Sequence, residues 1–228
     1  TRRKLKVRPL VCFVDAKEPT LWTETEVERV VLANCADVSL IRFAENEPIC
    51  SAIREAHALI VSHYPQISRD LLPSLRKARV IVRNGVGFDN VDVAAASELG
   101  MPVCNVPDYG TEEVADHALL LTLALARRLP SAVRNVQSGG FEWQSVVPVR
   151  RIRGQLFGIV GCGRIGTAAA LRAKTFGYDV QFFDPYLPSG YEKGLAIRRC
   201  STVEELLESS DVVSLHAPLN SETRGILN

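Results

Sequence analysis

A glycine-rich stretch, Gly161-Cys-Gly-Arg-Ile-Gly166, constrains the fold of this chain more than any other feature. An apolar run at residues 156–160 predicts a buried strand before it, and residues 164–176 predict a helix after it. A further strand is predicted at residues 179–184, and its last residue is an aspartate 18 positions after the third glycine. Glycines alone mark any tight turn, but this strand–loop–helix–strand order with a terminal acid is the fingerprint of a dinucleotide-binding Rossmann unit.

Each position of the stretch has a predicted physical role. Gly161 permits the tight turn, Gly163 lets backbone amides approach a pyrophosphate, and Gly166 lets the helix pack closely on the strand. The pyrophosphate would bind at the helix N-terminus, where unpaired N–H groups and the helix dipole favour an anion. Arg164 adds a cation, and Asp184 would accept hydrogen bonds from the adenosine ribose.

The residues after Asp184 bear on the choice of cofactor. They are Pro185 and Tyr186, with no arginine to bind a 2′-phosphate, so the sequence predicts NAD rather than NADP. Two alternatives stay open: a plain strand–turn–helix corner, and a Rossmann protein that binds a methyl donor. The third glycine and Arg164 favour a pyrophosphate over a methyl donor.

The rest of the chain predicts alternating strands and helices, and therefore an α/β fold with parallel sheets. Strands are predicted at 9–15, 37–42, 58–61, 80–82, 196–199 and 212–216, and helices at 24–33, 48–55, 68–77, 111–128 and 202–208. The helix at 111–128 is so apolar that it must be covered on most sides, as a linker helix or a dimer contact is. Residues 131–148 are predicted to be irregular, and a domain boundary is predicted near residue 106.

Composition excludes several classes of protein. A net charge of +1 gives no general attraction to nucleic acid or membrane. The six cysteines form no C-x-x-C pair, and no apolar run reaches the length of a membrane helix. We therefore expect a soluble protein of a reducing, cytoplasmic compartment. A basic N-terminal tail leaves a nucleic-acid or import role open, although a short solvated tail is the commoner meaning of Arg2, Arg3, Lys4, Lys6 and Arg8.

Four motifs, in order, carry a resemblance to a known family. They are Val82-Arg-Asn-Gly-Val-Gly-Phe-Asp-Asn-Val-Asp92, Glu113-Val-Ala-Asp-His-Ala118, the glycine-rich loop, and Leu215-His-Ala-Pro-Leu219. From Pro9 onward the chain resembles the D-isomer-specific 2-hydroxyacid dehydrogenases. Arg83, Phe88, residues 151–154 and residues 184–186 make it most similar to the C-terminal-binding-protein branch of that family.

The resemblance implies a domain organisation and a set of binding residues. Residues 1–106 would form a flavodoxin-like substrate domain, and residues 107–228 a linker helix with the first half of an NAD-binding Rossmann domain. The helix region 111–128 would form a homodimer. The implied substrate-binding residues are His63, Arg83, Val86 and Gly87, the last two through backbone amides to a substrate carboxylate. The implied cofactor-binding residues are Val114, Gly161, Gly163, Arg164, Ile165, Gly166, Asp184, Pro185, His216, Ala217, Pro218 and Thr223.

The resemblance also implies an activity, the NAD-dependent reduction of 2-oxo acids to D-2-hydroxy acids. The family's catalytic Arg, Glu and His match no residue of this sequence, so we expect them C-terminal to Asn228 and the sequence to be part of a longer protein. His117, on the 111–128 helix, is interpreted as a packing or interdomain residue. A second function from another class stays open: a dimeric protein that senses NAD(H) and recruits partners without significant turnover.

Overall fold

The computed structural model describes residues 8–18, 22–43 and 51–227. The chain divides into two compact units, Thr1–Tyr109 and Gly110–Asn228, which are described separately. The basic tail apart from Arg8, residues 48–50 of the helix predicted at 48–55, and Asn228 lie outside the described residues. Of the helices in the described ranges, none combines the length and the apolar character needed to cross a membrane.

The first unit is built on a parallel sheet of five strands in the order β2-β1-β3-β4-β5. The strands are β1 (Leu10–Ala16), β2 (Asp37–Phe43), β3 (Ala58–Val61), β4 (Ile81–Arg83) and β5 (Val103–Cys104). The helices are α1 (Glu26–Leu32), α2 (Ser51–Glu55) and α3 (Val93–Glu98). Strand β1 is central and almost entirely buried, which explains its continuous apolar sequence. Its side chains enter a core with Ile53, Leu59 and Ile81.

The second unit is a parallel sheet of four strands in the order β8-β7-β6-β9. The strands are β6 (Leu156–Val160), β7 (Asp179–Phe183), β8 (Arg198–Arg199) and β9 (Val212–Leu215). The helices are α4 (Thr111–Ala126), α5 (Leu129–Gln137), α6 (Arg164–Thr175), α7 (Tyr191–Leu195) and α8 (Val203–Ser209). These two parallel sheets with helices confirm the predicted α/β fold class.

Helix α6 lies close to both the sheet and α4 because its inward side chains are small. Ala168, Ala169 and Ala173 of α6 are buried in one core with Ala115 and Leu119 of α4. The other apolar side chains of α4 are not covered within this chain: Leu125 is 72% exposed and Leu121 is 53% exposed. The sequence predicts that this helix is covered on most sides. Within the described residues it is covered on one face.

Two local predictions were wrong. The helix predicted at 68–77 is reduced to a short 3-10 turn, Leu72–Ser74, since Pro73 has no N–H to donate to a helical hydrogen bond. Residues 131–148 are not irregular throughout, because they contain most of α5 and a 3-10 turn, Trp143–Val146. Pro130 lies in the first turn of α5, where proline is well tolerated, and this signal could have indicated the helix. Helices α3 and α7 and the two-residue strand β5 were also missed.

Candidate functional site

The turn after β6 has a conformation that requires glycine. Gly161 has φ +86°, and a Cβ atom there would lie 2.8 Å from the amide nitrogen of Ala217. The Gly161 amide donates to the carbonyl of Phe183 at 2.9 Å, and the His216 amide donates to the carbonyl of Val160 at 2.8 Å. The loop is therefore held between the carboxyl ends of β7 and β9, where ligands bind in open α/β sheets.

The other two glycines of the loop differ in what surrounds them. A Cβ on Gly166 would lie 2.1 Å from the carbonyl oxygen of Gly161, so the helix packs directly on the turn. A Cβ on Gly163 would meet nothing within 4 Å. Gly163 is the N-cap of α6, and no side chain caps that end of the 12-residue helix. The N-terminus of α6 therefore has no side-chain acceptor and has open space beside Gly163, which fits a pyrophosphate at this position.

Asp184, at the end of β7, ties the loop to the following segment. Its Oδ2 accepts from the Cys162 amide at 2.9 Å, and its Oδ1 accepts from the Tyr186 amide at 3.0 Å. The side chain is half-buried, and each oxygen keeps a further lone pair for a ribose hydroxyl. Pro185, which follows it, is exposed.

The side chains that support the glycine loop could not be identified from the sequence. The Thr167 hydroxyl donates to the carbonyl of Cys162 at 2.9 Å and contacts the hydroxyl of Tyr191 at 2.8 Å. Burial raises the pKa of the Cys162 thiol, so this side chain is a neutral packing group. Tyr191 lies in α7, which sequence reasoning missed, and its ring packs edge-on to Phe182.

The segment after β9 forms the opposite side of the loop. The ring of His216 is hydrogen bonded through Nε2 to the Ser214 hydroxyl at 2.9 Å, and burial lowers the pKa of His216. Thr223 closes a tight turn by donating to the carbonyl of Pro218, while the side chain of Asn220 accepts from the amides of residues 222 and 223. His216, Ala217 and Thr223 are half-buried.

A groove of about 1170 Å³ runs between α4 and β9. Val114, His117 and Leu121 line it from α4, and Leu215 and His216 line it from the other side. Two of the proposed cofactor-binding residues, Val114 and His216, are therefore brought to one groove. Arg164 is exposed and Ile165 half-buried in the first turn of α6.

In the first unit, Arg83 and His63 form a polar pair at the ends of β4 and β3. Nη2 of Arg83 donates to Nδ1 of His63 at 2.7 Å. Arg83 is only 6% exposed, and its buried Nε has no hydrogen-bond partner among the described residues. His63 is exposed, and its ring meets that of Tyr64 edge-on, with centroids 5.1 Å apart.

The loop after Arg83 is fixed by hydrogen bonds on its inner side. Asn105 donates from Nδ2 to the carbonyl of Val86 at 2.8 Å, and the Val106 amide donates to the carbonyl of Gly85 at 3.0 Å. A Cβ on Gly85 would lie 1.6 Å from Nη1 of Arg83, so glycine is needed where the guanidinium folds back. Gly87 is exposed at the outer end of this loop.

Neither unit offers a metal centre in the part of the chain that is described, since no three His, Cys, Asp or Glu side chains are grouped to hold an ion. The chemistry available is hydrogen bonding and charge: amides at the α6 N-terminus and the Asp184 carboxylate in the second unit, and a buried guanidinium in the first.

Comparison with known proteins identifies the second unit. Residues 119–228 match the family described as the NAD-binding domain of D-isomer specific 2-hydroxyacid dehydrogenases. The chain is 36% identical over 228 residues to C-terminal-binding protein 1 of Caenorhabditis elegans, covering 97% of this chain and 30% of that protein. It is 32% identical over 197 residues to D-3-phosphoglycerate dehydrogenase of Methanocaldococcus jannaschii, covering 86% of this chain and 37% of that protein. The chain thus spans about a third of the length of these relatives.

Solved structures agree with this assignment. D-lactate dehydrogenase from Aquifex aeolicus, in complex with NAD and lactic acid, superimposes with a TM-score of 0.84 at 26% identity, covering 96% of this chain and 63% of that one. The PH0520 protein from Pyrococcus horikoshii gives a TM-score of 0.81 at 29% identity, covering 97% and 66%. Residues 119–228 are therefore identified as the NAD-binding domain of a D-isomer-specific 2-hydroxyacid dehydrogenase, and the cofactor of this domain is NAD.

Proposed function

We propose that this chain supplies the substrate-binding and NAD-binding parts of an oxidoreductase that interconverts 2-oxo acids and D-2-hydroxy acids. The observation that carries the proposal is the glycine loop, with Gly163 open to solvent at the uncapped N-terminus of α6 and Asp184 bonded to the loop. The first unit is proposed as the substrate domain and the second as the cofactor domain. The relative from Methanocaldococcus jannaschii, a dehydrogenase by name, supports the same reading.

The proposed cofactor site uses backbone and side-chain groups of the second unit. NADH supplies the hydride for reduction of the 2-oxo group. The amides of Gly163, Arg164, Ile165 and Gly166 would hold the pyrophosphate, with the α6 dipole and the Arg164 cation favouring its charge. Asp184 and Pro185 would bind the adenosine, and His216, Ala217, Pro218 and Thr223 would border the dinucleotide from the opposite side. Val114 would contact it from the groove beside α4.

The proposed substrate site uses the pair Arg83–His63 and the loop that follows. A 2-oxo acid is an anion, and the guanidinium of Arg83 supplies a cation whose buried Nε has no hydrogen-bond partner within residues 8–18, 22–43 and 51–227. The amides of half-buried Val86 and exposed Gly87 would hold the carboxylate, because the loop that carries them is fixed by the hydrogen bond from Asn105 to the Val86 carbonyl. Protonation of the nascent alkoxide is assigned to none of the described residues.

The protein is further proposed to form a homodimer through the 111–128 helix region. Leu121 and Leu125 of α4 are exposed, and Leu129, Val133 and Val136 place an apolar stripe on the adjacent helix α5. Apolar side chains concentrated on two neighbouring helices are typical of protein–protein contacts. All five described cysteines are free thiols, which agrees with the proposed reducing, cytoplasmic compartment.

A second candidate function is a dimer that senses NAD(H) without significant turnover. It is favoured by the 36% identity to C-terminal-binding protein 1, a relative whose name describes binding and does not mention a dehydrogenase. The two functions separate in one pair of measurements on the full-length protein. A dehydrogenase oxidises NADH steadily when a 2-oxo acid is added. A sensor binds NADH and changes its association state in sedimentation, while every 2-oxo acid of the panel leaves NADH intact.

A further inference from the structure

The side chain of Tyr186 connects the two sides of the proposed adenosine site. Its hydroxyl donates to Oε2 of Glu222, a residue in the tight turn after β9. Its amide donates to Asp184, which is bonded in turn to the glycine loop. A chain of hydrogen bonds therefore runs from the Cys162 amide through Asp184 and Tyr186 to Glu222.

The turn that carries Glu222 is well fixed. Oδ1 of Asn220 accepts from the Glu222 amide at 2.9 Å and from the Thr223 amide at 3.0 Å. The hydroxyl of Thr223 bonds back to the carbonyl of Pro218. Since both ends of the Tyr186–Glu222 contact are anchored, the Glu222 carboxylate is held at the rim of the site, although Tyr186 itself is 77% exposed.

Two groups next to Asp184 that could bind a 2′-phosphate, the Arg199 guanidinium and the Tyr186 amide, are engaged in other hydrogen bonds. The nearby cation, Arg199, donates to the carbonyls of Asp184 at 2.8 Å, Leu187 at 2.6 Å and Pro188 at 3.0 Å. Its guanidinium lies 5.5 Å from the centroid of the Phe182 ring. The Tyr186 amide is taken by Asp184. Glu222 adds a negative charge on the same side.

We propose that Glu222, positioned by the Tyr186 hydroxyl, is a second carboxylate beside Asp184 that determines the selectivity of this protein for NAD over NADP. The inference rests on the proposed function, which places the adenosine ribose at Asp184. A 2′-phosphate extends from that ribose and carries up to two negative charges, so it meets the field of both carboxylates. NAD, with a free hydroxyl, does not.

The test is calorimetric titration of NAD⁺ and NADP⁺ into the full-length protein and its variants. Glu222→Gln lowers the dissociation constant of NADP⁺ about threefold, as expected for the removal of an exposed charge. The same substitution changes the dissociation constant of NAD⁺ less than about twofold. Tyr186→Phe keeps the Glu222 carboxylate but removes the hydroxyl that positions it. The dissociation constant of NADP⁺ therefore falls by a smaller factor than in Glu222→Gln. The gain for Glu222→Gln shrinks at high salt. Adding Glu222→Gln to Asp184→Asn relaxes selectivity beyond Asp184→Asn alone.

A matched control removes a carboxylate near the amino end of β9, whereas the proposed adenosine site lies at the carboxyl ends of the strands. Glu208 is exposed near the end of α8, three residues before Asp211 and four before the first residue of β9, so Glu208→Gln makes the same charge change away from the site. It leaves the ratio of the two dissociation constants unaltered. If wild type binds NAD⁺ and Glu222→Gln leaves NADP⁺ binding unchanged, the inference is wrong and the proposed function stands. If wild type binds neither dinucleotide, the proposed function fails and the inference fails with it.

Discussion

Nδ1 of His63 accepts a hydrogen bond from Nη2 of Arg83 at 2.7 Å, and this contact orients the imidazole. A guanidinium only donates, so Nδ1 is the acceptor in this contact and Nε2 is left for a ligand. The pair therefore presents a buried cation beside an exposed imidazole, and the cation suits an anionic substrate.

Replacing this cation tests the substrate site. Arg83→Gln is expected to raise the KM for a 2-oxo acid about tenfold or more, because a charge-assisted hydrogen bond is lost. The NADH dissociation constant should stay at the wild-type value. Steady-state kinetics and calorimetry measure the two quantities. Arg79→Gln, an exposed change of equal charge in the same unit, is the control. A wild-type KM in a folded Arg83→Gln protein would remove Arg83 from the substrate site.

Two glycines of the loop, Gly163 and Gly166, should respond differently to substitution by alanine. Gly163→Ala places a methyl group in open space, so the melting temperature should hold while NADH affinity falls about tenfold or more, because the methyl group occupies the approach of the pyrophosphate. Gly166→Ala meets the Gly161 carbonyl and should lower the melting temperature as well.

Gly194→Ala in α7 is the matched control for these substitutions. Its Cβ also meets nothing within 4 Å, and alanine favours a helix over glycine by roughly 0.5–1 kcal/mol, so stability should hold or rise with NADH affinity unchanged. Wild-type NADH affinity in Gly163→Ala would mean that the pyrophosphate does not lie against this residue.

A charged substitution in the proposed dimer surface should lower the molecular mass of the protein in solution from that of a dimer to that of a monomer. Leu125→Glu introduces a charge into the exposed apolar face of α4 and should convert a dimer into monomers, because a carboxylate buried in an apolar contact has no partner. Light scattering coupled to size-exclusion chromatography reads the mass directly. Val30→Glu changes an equally exposed valine on α1 and should leave the dimer intact. Dimeric Leu125→Glu protein would place the interface elsewhere.

His216 predicts a pH dependence of stability. Burial disfavours the imidazolium, so the pKa of His216 in the folded protein lies below its ordinary value of 6.5. The unfolded chain then binds more protons as the pH falls through 6.5, and the free energy of unfolding decreases there until the folded pKa is reached.

Urea midpoints measured at about pH 7.5 and about pH 5.5 should fall less in His216→Gln than in wild type. His117→Gln, which removes an exposed histidine, should retain the wild-type decrease. An identical decrease in wild type and His216→Gln would show that His216 is not held neutral by the fold.

The parts of the fold that sequence predicted best are those set by local patterns. The strand at Leu156–Val160, the glycine turn and α6 follow from hydrophobic periodicity and glycine chemistry within about 20 residues. The helix predicted at 68–77 does not form because Pro73 has no N–H to donate to a helical hydrogen bond. Helix α5 was missed although its sequence is amphipathic and carries Pro130 in the first turn, two signals that indicate a helix.

The contacts that sequence did not foresee join distant residues. Tyr186 and Glu222 are 36 positions apart, and Arg83 and His63 are 20 apart. Such pairs depend on how strands β3, β4, β7 and β9 align at their carboxyl ends, which no local pattern encodes. Gly85 belongs to the same group, since its need for glycine comes from the guanidinium of Arg83 folding over it.

The most direct test of the central claim is the steady-state oxidation of NADH by the full-length protein with a panel of 2-oxo acids, with the configuration of the product determined. The account predicts sustained turnover with at least one 2-oxo acid and a product of D configuration. Binding of NADH without oxidation by any 2-oxo acid, or a product of L configuration, would contradict it.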